Sequence, residues 1–92
     1  MQEKITLKII YKGKVQGVFF REYVKRYAKK YNILGTIKNL MDGSVEVVAV
    51  ADDKSLEKFM RIIQEKPGLG FIESIEKKEI SKMNFQDFEI IY

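Results

Sequence analysis

The first chemistry this sequence suggests lies in Gly13-Lys14-Val15-Gln16-Gly17-Val18-Phe19-Phe20-Arg21. The run joins a strand-like segment to an amphipathic helical one. Its two glycines permit main-chain geometry that other residues resist, including positive φ and close approach of backbone to a ligand. A turn that opens onto a helix directs unpaired N–H groups outward, which makes a site for an anion. Arg21 in the first helical turn is repelled by the positive end of the helix dipole, at roughly 0.3–1 kcal/mol. An anion held between those amides and the guanidinium reverses the sign.

What the chain lacks narrows the chemistry further. It contains no His and no Cys, so the commonest general base, the thiol nucleophile, disulfides and the commonest transition-metal ligands are excluded together. There is no Walker-type Gly-Lys-Ser/Thr and no metal-ligand spacing, and Asp52-Asp53 reads more economically as a helix cap than as half of a metal site. Asn39 is the other polar residue of interest. It ends a predicted strand beside a tight turn, where bonding to its own backbone is the favoured structural reading.

The elements that position these residues follow from periodicity. Lys4 to Lys12 alternates, with Ile5, Leu7, Ile9 and Tyr11 on one face and Thr6, Lys8 and Ile10 on the other. Phe20, Tyr23, Val24, Tyr27, Ala28 and Tyr31 form one apolar stripe of a helix, opposed by Lys25, Arg26, Lys29 and Lys30. Ile33 to Leu40 and Ser44 to Ala51 read as strands joined through Met41-Asp42-Gly43, a hairpin signal. Asp52 or Asp53 caps a second helix to about Glu65, with Leu56, Phe59, Met60 and Ile63 buried, and Pro67-Gly68-Leu69-Gly70 stops it. Phe71 to Ile80 is a fourth strand with poor alternation, and Phe88 to Tyr92 closes the chain as a short last strand. The order β-α-β-β-α-β, with right-handed crossovers, gives an α+β ferredoxin-like sandwich: an antiparallel sheet with both helices on one face and the other face largely in water.

In this setting two stretches resemble the signatures of the acylphosphatases. Gly13 to Arg21 is similar to the first, a glycine, a Val-Gln-Gly-Val core, an aromatic and an arginine. Gly35-Thr36-Ile37-Lys38-Asn39-Leu40-Met41-Asp42-Gly43-Ser44-Val45-Glu46 resembles the second, and Phe88-Glu89-Ile90-Ile91-Tyr92 is similar to the family's C-terminus. The resemblance covers essentially the whole chain. It implies an enzyme that hydrolyses the carboxyl–phosphate bond of acyl phosphates to a carboxylate and inorganic phosphate without metal or cofactor. It also implies roles: Arg21 binds the phosphoryl group, the main-chain N–H groups of Gln16, Gly17, Val18, Phe19 and Phe20 cradle its oxygens, and Asn39 positions the attacking water. Thr36, Ile37 and Ala51 depart from the family's pattern; they touch strand packing and substrate preference and replace no chemical group of the mechanism.

General chemistry agrees with that activity. The leaving group of an acyl phosphate is a carboxylate with a pKa of about 4, so its departure needs no general acid. Phosphoryl transfer is helped mainly by positioning and by stabilising charge on the transferring oxygens, and an arginine supplies fixed charge with paired donors. Two other readings use the same fold: a module binding RNA or single-stranded DNA, and a regulatory domain that binds an anion without turnover. The first lacks the interleaved Gly and aromatic pattern on Ser44 to Ala51, and the second gives Asn39 no task.

The 92 residues suit a single domain with one core, and the net charge of +4 comes from scattered lysines rather than a cluster. The start, Met-Gln-Glu-Lys, leads straight into a strand pattern without a leader, and no apolar run reaches membrane-spanning length. The expectation is a cytoplasmic monomer that engages a small acyl phosphate and neither nucleic acid nor membrane. Abundant Ile and Lys, 33% charged residues and the absence of Cys and His also suit a thermophile.

Overall fold

The computed structural model describes residues 3–68 and 70–92. Met1 and Gln2, and Leu69 of the predicted helix stop, lie outside the described residues. The elements are β1 (Lys4–Lys14), α1 (Phe20–Lys30), β2 (Leu34–Asn39), β3 (Val45–Asp52), α2 (Asp53–Glu65), β4 (Phe71–Ile80) and β5 (Phe88–Ile90). They form the expected α+β sandwich around one five-stranded sheet, ordered β4-β1-β3-β2-β5.

Alternation decides what faces the helices. Leu7, Ile9 and Tyr11 of β1 lie opposite Ala49, Val47 and Val45 of β3, and Ile37 of β2 lies opposite Val47. These residues are buried in one cluster with Phe20, Val24 and Ala28 of α1 and Leu56, Phe59 and Ile63 of α2. Both helices therefore cover a single face. Two of the departures from the family pattern are absorbed by this packing, with Ile37 and Ala51 in the same cluster. Thr36 lies opposite Val48 and beside Glu89.

Three details differ from the sequence reading. The sheet is mixed, because β5 joins β2 in parallel, with Gly35, Thr36 and Ile37 beside Phe88, Glu89 and Ile90. β5 also ends at Ile90, leaving Ile91 and Tyr92 beyond the strand. The second face is not wholly in water: Thr6 and its partner Val50 are buried, and the Met83 N–H donates to Thr6 Oγ1 at 3.1 Å. The connection leaving β4 closes over that corner. The weak alternation of β4 has a cause as well. It is an edge strand, and its register against β1 slips at Lys12 and Gly13, as a β-bulge does. A Cβ on Gly13 would stand 2.2 Å from the Phe71 carbonyl oxygen, so only glycine fits where the two strands close on each other.

Candidate active site

Strand direction gathers the site at one end of the sheet. β1 and β2 both run antiparallel to β3, and β5 runs parallel to β2. The C-terminal ends of β1, β2 and β5 thus point the same way, and α1 begins at that end. The loop after β1, Asn39 at the end of β2, and Ile90 and Tyr92 at and beyond the end of β5 share one rim.

The loop is tied down at three places. Val15 and Phe20 are buried at its two ends. Between them the Gln16 side chain donates from Nε2 to the carbonyl oxygens of Leu40 and Ser44, both at 2.8 Å. Those two oxygens belong to the β2–β3 turn, so one side chain joins the loop to the residue next to Asn39. The sequence reading assigned Gln16 only its main-chain amide. Its side-chain role spans 24 and 28 residues, and no local pattern reveals it.

Between these anchors the backbone turns through positive φ twice, at Gly17 (φ 73) and Phe19 (φ 60). Phe19 is the N-cap of α1, in the left-handed region, and no side chain caps the helix there. None of the turn, loop and cap hydrogen bonds among the described residues uses an N–H from Gln16 to Phe20. The result is a row of main-chain donors without protein acceptors, leading into the positive end of α1.

Arg21 follows in the first turn. It takes part in none of the ion pairs found among the described residues. Its guanidinium carbon lies 5.0 Å from the centre of the Tyr92 ring, within range of a cation–π contact. Arg21 lines a cavity of about 410 Å³ together with Val15, Gly17, Phe19, Phe20, Glu22, Ile90 and Tyr92. Val15, Glu22, Ile90 and Tyr92 are additions to the site residues expected from sequence. Glu22 complements the helix dipole as an acidic residue of the first turn.

Asn39 is exposed, as the last residue of β2. Alternation sets it on the same side as buried Ile37, the side from which α1 rises. It is not among the residues lining the Arg21 cavity, though Ile90 of that cavity pairs with Ile37. No hydrogen bond among the described residues involves the Asn39 side chain. The backbone-bonding task of this turn falls to Asp42 instead, whose Oδ1 accepts from the Ser44 N–H at 2.9 Å and from the Ser44 hydroxyl. These bonds, with a smaller contribution from Lys12, hold the Asp42 carboxyl below its usual range. The Asn39 amide is thereby left for another partner.

Beneath the loop, the Tyr11 ring meets that of Phe20 edge to face, with centroids 5.5 Å apart. The Tyr11 hydroxyl is buried without a hydrogen-bond partner, and burial pushes its pKa well above the usual phenol value.

Comparison with known proteins bears on this arrangement. The family model described as acylphosphatase matches residues 7–90. An acylphosphatase of Archaeoglobus fulgidus is 38% identical over 88 residues, covering 96% of this chain and 99% of that protein. Among solved structures, an acylphosphatase from Bacillus subtilis superposes with a TM-score of 0.90 at 31% identity, covering 96% of this chain and 99% of that one. One from Coxiella burnetii gives 0.89 at 32% identity, covering 96% and 93%.

Proposed function

The chain belongs to the acylphosphatase family, and from that premise we propose how its own residues hydrolyse an acyl phosphate to a carboxylate and inorganic phosphate. The phosphoryl oxygens lie against the main-chain N–H groups of Gln16, Gly17, Val18, Phe19 and Phe20, and Arg21 closes the cradle with paired charged donors. Asn39 holds a water by hydrogen bonds. The water oxygen adds to phosphorus as the bond from phosphorus to the acyl oxygen breaks. The carboxylate leaves unprotonated, since its conjugate acid has a pKa of about 4, and the proton of the water passes to a phosphoryl oxygen. The chain's contribution is positioning and charge stabilisation, which suits a transition state with charge spread over the transferring oxygens.

The observation that carries this reading is the row of amides without acceptors that runs into Arg21. An anion there supplies these donors with an acceptor and cancels the unfavourable placement of the cation. The nucleic-acid reading is not favoured, because β3 carries no aromatic side chain on which a base could stack. In our reading residues 1–92 act as one catalytic domain and as a cytoplasmic monomer with a small-molecule substrate and no nucleic-acid or membrane partner. No helix of the described residues is long and apolar enough to cross a membrane. The charged, Ile- and Lys-rich composition supports a thermophilic setting.

The decisive assay is hydrolysis of acetyl phosphate by the purified protein in excess chelator, with inorganic phosphate added as inhibitor. Turnover that phosphate inhibits competitively is expected. Activity that disappears with chelator and returns with a divalent metal contradicts the mechanism.

A further inference from the structure

Phe19 stands where neither packing nor backbone preference calls for an aromatic residue. Its φ of 60 and ψ of 21 are left-handed, a region that a side chain disfavours and glycine enters freely. The residue is 77% exposed, so burial does not offset the strain. Strain of this kind persists where function uses it. The residue also borders two cavities: the one beside Arg21, with apolar walls from Val15, Ile90 and Tyr92, and a second of about 330 Å³ lined by Val18, Glu22, Tyr23, Arg26 and Gly68.

We propose that Phe19 is the residue that selects the acyl group, its ring forming a plate for flat, apolar acyl groups, so that aroyl phosphates are favoured over small aliphatic acyl phosphates. The inference rests on the phosphate cradle described above. With the phosphate on the loop amides, an acyl group occupying the Arg21 cavity has Phe19 on the loop side and Ile90 and Tyr92 on the strand side. A planar group gains contact with the ring face, while an acetyl group is too short to cover it.

The test compares kcat/KM for benzoyl phosphate and acetyl phosphate in the wild type, Phe19→Gly, Phe19→Leu and Phe19→Tyr. The benzoyl-to-acetyl ratio is expected to fall about 3- to 10-fold in Phe19→Gly, as loss of an aromatic contact implies. It should fall less in Phe19→Leu and stay at the wild-type value in Phe19→Tyr. A ratio unchanged in Phe19→Gly, or equal losses on both substrates, overturns the proposal. Failure of the wild type to hydrolyse either substrate refutes the cradle itself, which separates the two ideas.

Discussion

Each helix follows a strand and starts at an end of the sheet, yet the two starts are built differently. At α2, Asp52 adopts extended geometry and accepts from the Ser55 N–H at 2.9 Å and the Ser55 hydroxyl at 3.0 Å, and Asp53 follows in the first turn. At α1 the cap is a left-handed Phe19 with no side-chain acceptor, and Arg21 sits where the dipole repels it. The start of α2 satisfies itself. That of α1 leaves its amides open and adds a cation, so it is completed only by an anion from outside. Within one small fold, the same structural position is closed by its own side chains at one helix and left open, for the anion we propose, at the other.

Four substitutions would break or sharpen that contrast. Arg21→Ala should have the largest effect, a loss of about 10³-fold or more in kcat/KM, with phosphate inhibition lost as well. Folding stability should hold or rise by roughly 0.3–1 kcal/mol, because the unfavourable charge is gone; a clear fall in denaturant midpoint would show that Arg21 is structural. Asn39→Ala should lower kcat by about 10- to 100-fold, the order seen for loss of one transition-state donor. Its inhibition constant for phosphate should stay near the wild-type value, and full retention of kcat would end the water-positioning role.

Asp52→Ala should show the opposite profile to Arg21→Ala: a melting temperature lower by about 5 °C and kcat unchanged. The pH dependence follows from the same cap. Bonds from Ser55 lower the Asp52 pKa in the folded state, so its stabilisation is complete above the unfolded carboxylate value and is lost as pH falls through the folded one. The stability difference between wild type and Asp52→Ala should therefore close in acid. The smallest effect is expected at Tyr11→Phe, beneath the start of α1. Removing a buried hydroxyl without a partner should raise stability by about 1 kcal/mol in denaturant unfolding. Destabilisation there would mean that the hydroxyl has a partner after all.

Much of this architecture was legible in residue order. Alternation revealed β1, apolar stripes revealed both helices, and Asp-Gly between two β-rich runs marked β2, β3 and their turn. The parallel pairing of β5 was not, because three residues carry no periodicity that separates parallel from antiparallel. β4 blurred because an edge strand is not required to alternate, and its bulge at Glu73 shifts the faces near its start. At the site, Arg21 stood out through its clash with the dipole. The Gln16 side chain did not, since its acceptors are carbonyl oxygens far along the chain. Asn39 was ambiguous until Asp42 proved to be the residue bonding the turn's backbone. Nor does any local pattern bring Tyr92 over Arg21; only the register of β5 on β2 does so.

The strand order has a kinetic consequence. Only β2 and β3 are neighbours both in the chain and in the sheet; the inner strand β1 must find β3 and then β4, which arrives near the end of the sequence. Such pairings close long loops before any contact offsets the lost entropy, so folding should fall in the millisecond-to-second range rather than the microsecond range of helical bundles. The cradle hangs from β1 and is bonded to the β2–β3 turn. Regain of turnover during refolding should accordingly lag the formation of the hairpin and report the moment at which the sheet closes.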